Sequence, residues 1–531
     1  MKRRFLAGAM SAAMMLSGAM GQAVFAESET VDYSDQQTYP IVDEPITLKI
    51  MFGIRDVDSL ANPSDMPVVK AFEEKTGINL EWDVVKGSDW STKLNLMFVS
   101  DDYPDIIIAP MCNVDDEEYG VIQGLLIPLE DKIAENMPNY TTRIAGEDSD
   151  PTSCLVATDG HTYSIGYMVG QNINTSQHFF INQTWLDALG LETPTTLDEL
   201  TEVLHAFKTQ DPNGNGEADE VPLEMGFDTG FYGVRYILPM FGIPCDGEKW
   251  IYIDDDKNIQ FTATQDGFRK CMEWLHQMYE EELVDAELIS QDVNTIETKL
   301  KEGNVGFFMA WRLIGMGWDN GIAKDAVLWT PGEEMGAELS RTIEMARGGA
   351  WLTITNEHVD ESLKLLDAMM DTETQFSLYY GEKDAEDGTG WTYNENGKID
   401  TLNVGNTDNV KNYLDCNTMF FGPGKYISSV FNMPAARVEK TEYCQKYDEA
   451  GVIQKYSNDY LRLAPLTSEQ LQSNALLETD INNAVVENMA TFVTEGVTDE
   501  SWEKFVNMFD GMGVSDYIQM YQDAIDTMEL E

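Results

Sequence analysis

The sequence predicts an α/β protein folded as two lobes crossed by several passes of the chain. Three observations predict it. Strand-like and helix-like segments alternate between residues 46 and 109, which demands crossover connections and hence a parallel sheet. The chain has 531 residues, more than one ordinary core organises at ~150 residues per domain. It also carries no internal repeat and no low-complexity linker, as expected if the chain passes between lobes more than once.

Each element has its own signal. Ile46 to Phe52 reads as a buried strand. Pro67 to Lys75 reads as a helix with Val68, Val69 and Phe72 on one face, stopped by Gly77. Ile78 to Val85 alternates as a strand, and Ser88 or Asp89 can cap a helix running to Val99. Pro104 to Ala109 is a short continuous apolar run, typical of a parallel strand buried on both faces. Thr162 to Tyr167 and Phe179 to Asn182 read as strands. Thr196 and Glu199 form a capping box opening a helix with Leu200, Val203, Leu204 and Phe207 on one face. Phe268, Met272, Leu275, Met278 and Leu283 mark another amphipathic helix, and Gly303 to Ala310 is a turn and strand. Beyond about Asp360 the chain is mainly helical, ending with Trp502, Phe505, Phe509, Tyr517, Tyr521 and Ile525 at helix-like intervals.

Residues 1–26 read as a secretory signal peptide. Lys2, Arg3 and Arg4 precede an apolar stretch from Phe5 to about Met20, and Val24-Phe25-Ala26 suits cleavage after Ala26. Ala19 stands where a lipobox would place its cysteine, so the sequence predicts no lipid anchor at that point. Residues 27–44 form a polar leader. The charge balance is 93 acidic against 34 basic residues, net −59. Such a chain repels phosphate backbones and anionic lipid surfaces, which argues against nucleic-acid partners. The six cysteines form no C-x-x-C motif, and buried thiols are as good a reading as any bridge.

The sharpest local motif is Asp211-Pro-Asn213-Gly-Asn215-Gly216-Glu217-Ala-Asp219-Glu220. Alternate positions of a tight glycine-rich turn aim oxygens inward, as a hard cation such as Ca2+ requires. Asp211, Asn213 and Asn215 would give side-chain oxygens, Glu217 its carbonyl, and Asp219 with Glu220 the closing carboxylates. Pro222 stands where an EF-hand has its bidentate Glu, so this is a compact variant serving as a structural clip. The competing reading is a polar turn using Asn and Gly for its left-handed positions.

Enzyme motifs are missing. There is no H-E-x-x-H, G-x-S-x-G or P-loop, and no two of the five histidines lie within i, i+4 of each other. Aromatics say more. Trp90, Trp250, Trp311, Trp318, Trp351 and Trp391 sit at strand ends or in glycine-rich turns, where a flat ring exposed to a cleft can stack on a sugar. Core burial is the competing reading for each, and two or three are expected to line a site.

The chain resembles the family 1 extracellular solute-binding proteins, the sugar-binding subunits of bacterial ABC importers, and within them the calcium-containing branch that includes alginate-binding proteins. The landmarks are Tyr103-Pro-Asp-Ile106, Gly124 to Asp131, Asp159 to Ser164, Trp185 to Gly190 followed by Thr193 to Glu199, the Asp211–Glu220 loop, Gly303 to Gly306, Gly388-Thr-Gly-Trp391, and the ending around Trp502, Met512-Gly513 and Tyr521-Gln522. Two features depart from that pattern: the missing lipobox cysteine, and Thr389 in place of an acidic residue between Gly388 and Gly390.

The resemblance implies a two-lobe periplasmic-binding-protein fold with a hinge, an interlobe ligand cleft and a helical C-terminal region. Lobe 1 would comprise about 45–110 and 350–430, and lobe 2 about 111–349 and 431–531. It implies calcium at the loop residues named above. It also implies an oligosaccharide stacked on Tyr163, Trp311 and Trp391, with polar help from Arg312, delivered by a monomer to separate permease subunits. The rival readings are an oligopeptide-binding protein and a secreted glycoside hydrolase or lyase. The net charge favours a neutral ligand; Arg312 and Arg55 at strand ends leave a uronic acid as the alternative.

Overall fold

β1 (Ile46–Ile54), β2 (Ile78–Lys86) and β3 (Ile106–Ile108) run parallel, with Ile46 opposite Ile78 and Ile50 opposite Ile106. This computed structural model describes residues 31–530 except 57–59, 101, 113, 170–173, 176, 228, 230–231, 245–248, 315, 387–389, 403–412 and 529. The signal-peptide reading therefore lies outside the described residues. A compact unit spans Tyr33–Glu531.

The remaining strands in chain order are β4 (Ser164–Val169), β5 (Asn174–Thr175), β6 (His178–Asn182), β7 (Val221–Glu224), β8 (Ile251–Ile253), β9 (Ile259–Phe261), β10 (Val305–Ala310) and β11 (Ala326–Trp329). They are followed by β12 (Arg341–Thr342), β13 (Arg347–Leu352), β14 (Trp391–Tyr393), β15 (Ile399–Thr401) and β16 (Phe421–Gly422). One sheet has the order β16-β4-β13-β3-β1-β2 and the other β11-β6-β10-β7. These are the sheets of two lobes.

Local signals account for the entry into each element. Helix Pro67–Thr76 starts on proline and ends at Gly77, whose φ of 79° suits a residue without Cβ. Thr196 and Glu199 form the expected capping box on helix Leu197–Thr209. Helix Gly87–Ser100 differs from expectation at its start. Its first turn is held from outside, by Asp56 accepting from the Ser88 N–H at 2.9 Å, rather than by a side chain of Ser88 or Asp89.

The first sheet buries Ile50, Phe52, Ile106 and Ile108 on one face and Met51, Ile107 and Trp351 on the other. The boundary expected at residue 110 is corrected here. Leu129, Met137, Tyr140, Leu155, Ile165 and Met168 share the core of Ile50 and Ile106, and β4 pairs with β13. The apolar faces of helices Glu130–Asn136 and Pro138–Ala145 are covered by this sheet, so residues through 169 belong with the first lobe. The second lobe's core is larger. It packs β6, β7 and β10 with helix Asp266–Glu280 and with the C-terminal helices Ser468–Glu495, Asp499–Asp510 and Val514–Ile525. Phe505, Phe509, Tyr517, Tyr521 and Ile525 are buried there.

The chain passes between lobes three times: from β4 to β6, from β11 to β13, and from helix Gly424–Val430 to helix Ala435–Glu449. At the first two crossings β5 and β12 pair antiparallel, Arg341 opposite Thr175. Among the described residues no helix is long and apolar enough to cross a membrane. Cys112, Cys154, Cys271 and Cys444 are free thiols, while Cys245 lies outside the described residues.

Candidate ligand-binding cleft

Parallel strands put their carboxyl ends at one edge of a sheet, and open α/β sheets bind ligands outside that edge. In the first lobe the edge carries Arg55 after β1, Gly87 after β2 and Met111 after β3. A hollow of about 400 Å³ lies there, lined by Gly87, Trp90, Ser91, Met111, Cys112 and Tyr119 among others. Arg55 pairs with Asp415 at 2.7 Å, and its N–H donates to Asn417.

In the second lobe β7 and β10 are parallel, and β10 ends at Ala310 followed by Trp311 and Arg312. Of the eleven tryptophans, Trp311 alone is exposed, at 43%. The His178 ring Nδ1–H donates to the Trp311 carbonyl at 2.8 Å, which fixes the backbone at the strand's end. The Lys440 ammonium lies 4.2 Å from the centre of its ring. Lys440 belongs to helix Ala435–Glu449, whose first turn follows the third crossing. Glu439 of that helix joins it to the strand end: its Oε2 accepts the N–H groups of Leu313 and Ile314 at 3.3 and 3.0 Å, and its Oε1 the Tyr443 hydroxyl at 2.5 Å.

The electrostatics follow from this packing. Burial, with Arg312 and Arg437 nearby, pulls the Lys440 ammonium down to about 7. Burial and then Arg437 also lower Arg312, against Glu439. Burial above all, then Lys440, holds His178 neutral with a pKa of about 3. Burial raises the pKa of Tyr380, at the end of helix Thr372–Tyr380 in the first lobe, and Arg437 of the second lobe is near enough to oppose that rise.

Two expected stacking residues are corrected. Tyr163 is 5% exposed. It enters β4 level with the amino end of β3, the edge opposite the strand carboxyl ends, and its hydroxyl donates to Asp159 at 2.7 Å. A Cβ on Gly120 would lie 2.7 Å from its ring, so the ring is packed flat against backbone. Trp391 is 0% exposed, inside a cluster with Phe376, Phe420, Tyr426 and Phe431. Its indole N–H donates to Ser377 Oγ at 3.2 Å, so the polar handle is already satisfied internally. Trp90, Trp250, Trp318 and Trp351 are buried as well. The structure thus brings Trp311 and Arg312 together and leaves Tyr163 and Trp391 in cores. Lys440, Arg437 and Glu439 were missed in the sequence. Their signal was the i, i+3 spacing of Arg437 and Lys440 just after Pro434.

The Asp211–Glu220 loop lies away from this edge, at the amino ends of β7 and β10. The Val221 N–H donates to the Asn304 carbonyl, and the Asn304 amide donates to Asp219 Oδ2, both at 2.9 Å. Asp211 accepts the N–H groups of Asn215 and Gly216, and Asp219 accepts the side-chain amides of Asn213 and Asn215. Gly214 and Gly216 have φ of 70° and 78°. Glu220 Oε1 is buried with no hydrogen-bond partner among the described residues, and burial, then Asp219 and Asp211, push its pKa up. The donor set is half amide and half carboxylate. Among the described residues no group of three or more His, Cys, Asp or Glu side chains is gathered around a metal position.

Comparison with known proteins fits this architecture. Residues 58–376, more than half the chain, match the family described as bacterial extracellular solute-binding protein. The fructooligosaccharide ABC transporter substrate-binding protein FusA of Streptococcus pneumoniae is 27% identical over 511 residues, covering 92% of this chain and 91% of that protein. The FusA structure in complex with kestose superposes with a TM-score of 0.76 at 24% identity, covering 90% of this chain and 99% of that one. A FusA EF-hand mutant in complex with fructo-nystose gives 0.75 at 23% identity, covering 90% and 99%. An HMO-binding, ABC-transporter-associated solute-binding protein of Bifidobacterium longum infantis gives 0.77 at 21%, covering 91% and 99%. With the two sheets, the three crossings and the strand-end cleft, these matches place the chain in the family of bacterial extracellular solute-binding proteins.

Proposed function

We propose that this chain is the substrate-binding component of a carbohydrate ABC importer and captures an oligosaccharide between its lobes. The observation that carries the reading is Trp311, the one exposed tryptophan, at the carboxyl end of β10 with Lys440 against its ring. Its relationship to FusA over most of both chains supports the sugar class. Closure about the three crossings would bury the sugar and present both lobes to separate permease subunits. Export through residues 1–26 fits that role, and the reading includes no catalysis.

The cofactor reading is Ca2+ at Asp211, Asn213, Asn215, Glu217, Asp219 and Glu220. In its support, Glu220 carries a buried oxygen without a hydrogen-bond partner among the described residues, and the Asn213 and Asn215 side chains gather around Asp219. The ion would supply fixed positive charge tying the loop to the starts of β7 and β10.

The test is calorimetry and thermal shift over a panel of oligosaccharides, with the mixtures checked for new reducing ends after overnight incubation. Intact ligand and a raised melting temperature are expected. Reducing ends would point to a hydrolase or lyase. Binding of peptides and no saccharide would replace the sugar reading with the peptide one.

A further inference from the structure

We propose that the saccharide taken by this cleft carries an acidic group, a uronate carboxylate or a sulfate ester, seated against Arg312, Arg437 and Lys440 beside Trp311. The inference rests on the oligosaccharide reading above and specifies its ligand.

The geometry is distinguished by burial: Lys440 is 5% exposed against the Trp311 ring. Acidic residues outnumber basic ones 93 to 34, and buried or half-buried cations of this chain can take a carboxylate partner. Lys75, Lys249 and Lys299, for example, sit within 3 Å of theirs. Arg312, Arg437 and Lys440 make no such ion pair among the described residues, although they come together from two elements. Arg437 and Lys440 lie one turn apart on helix Ala435–Glu449. Glu439 clamps the 313–314 backbone to that helix and so holds Arg312 beside them. Glu439 is the nearby anion, and its oxygens are occupied by Leu313, Ile314 and Tyr443. Arg437 Nη1 is buried with no hydrogen-bond partner among the described residues.

Three like charges held close and partly out of water repel one another, and the depressed Lys440 reports that repulsion together with burial. Across the cleft, Arg55 and Asp415 neutralise each other. The locality is therefore positive inside a strongly acidic chain. A sugar hydroxyl could accept hydrogen bonds here but would leave the charge uncompensated. A carboxylate or sulfate would compensate it, and guanidinium groups offer planar forks suited to such oxyanions. The negative field of the rest of the protein is screened beyond ~8 Å at physiological salt. The local cations thus decide the preference, which reverses the neutral ligand expected from net charge.

A pH signature accompanies the charge. Lys440 faces Arg312 and Trp311 from the end of β10, Arg437 and Cys444 on its own helix, and neutral His178 from β6. Below pH 7 Lys440 is charged, so an acidic ligand should bind more tightly at pH 6 than at pH 9.

The test is titration calorimetry on the mature chain with trigalacturonate, its methyl ester, a sulfated lactose and kestose, each at pH 6 and pH 9. Trigalacturonate or the sulfated sugar should bind ~10-fold or more tightly than the uncharged ligands, a difference of ~1.4 kcal/mol. A preference for the first identifies a carboxylate, and for the second a sulfate ester. Arg437→Gln and Lys440→Met should each weaken binding of the acidic ligand at least several-fold more than binding of the methyl ester, removing most of that preference. Lys440→Met also replaces a buried cation with an apolar chain of similar length, so it keeps the test open should Arg437→Gln not fold. Kestose or the methyl ester binding as tightly as the acids, indifferent to both substitutions and to pH, overturns the acidic-ligand inference and leaves the oligosaccharide reading standing. Failure of every saccharide to bind overturns both.

Discussion

The end of β10 and the start of β14 each place a tryptophan beside a turn, and the two rings meet opposite fates. Trp311 leaves β10 at the carboxyl edge of the second sheet and keeps 43% of its surface. Trp391 opens the hairpin of β14 and β15, whose inner side is filled by Phe376, Phe420, Tyr426 and Phe431. Gly390, at φ 79°, leaves no room for a Cβ against the Glu382 carbonyl, which seals that hairpin onto helix Thr372–Tyr380. Proximity to glycine therefore says that backbone approaches closely. Whether it approaches an open cleft or a packed core depends on what the sheet edge faces.

The largest expected effect tests that contrast directly. Trp391→Ala should destabilise the fold by ~3–5 kcal/mol, as for other large-to-small core changes. Trp311→Ala should change unliganded stability by less than ~0.5 kcal/mol and weaken oligosaccharide binding ~10-fold, about 1.4 kcal/mol. Denaturant unfolding and calorimetry on the same two proteins check both halves. Equal loss of stability in the two would break the comparison.

Next in size is the effect of the proposed calcium clip, which would tie the starts of β7 and β10 and so support the strand that ends in Trp311. Calcium at ~100 times its dissociation constant should add ~2.7 kcal/mol. Chelation should lower the melting temperature, and Asp219→Ala should abolish that response. A melting curve unmoved by chelator would leave the loop as a turn held by its own hydrogen bonds.

A third experiment isolates the electrostatics beneath Trp311. Burial, Arg312 and Arg437 hold Lys440 at about 7, against ~10.4 in an unfolded chain. Between those values the unfolded state binds more protons, so this group makes stability rise with pH, and its cost is fully present below pH 7. Lys440→Met should therefore raise the melting temperature at pH 6 and confer progressively less advantage toward pH 10. A difference independent of pH would show that Lys440 is not held in that environment. The smallest effect is expected at Tyr163. Tyr163→Phe loses the hydrogen bond to Asp159 and should cost ~1 kcal/mol with ligand affinity unchanged; weakened binding would return Tyr163 to the cleft.

What the sequence determined by itself is what neighbours along the chain can decide. The strand and helix alternation up to Ala109, the stop at Gly77, and the capping box of Thr196 and Glu199 rest on side chains within a few residues of each other. The same holds for the turn between Asp211 and Asp219, whose Asp211 hydrogen bonds to the Asn215 and Gly216 N–H groups need only the local conformations at Gly214 and Gly216. Tertiary structure alone decided three other things. It assigned residues 111–169 to the first lobe, because β4 finds its partner in β13, far along the chain. It decided which of six similarly placed tryptophans stays open, because burial depends on what packs opposite. It also assembled the cations beside Trp311, through a contact between Glu439 and Leu313 that spans 126 residues. Periodicity carries no signal over such distances, because the free energy that closes them comes from the packed cores of both lobes rather than from the segments that meet.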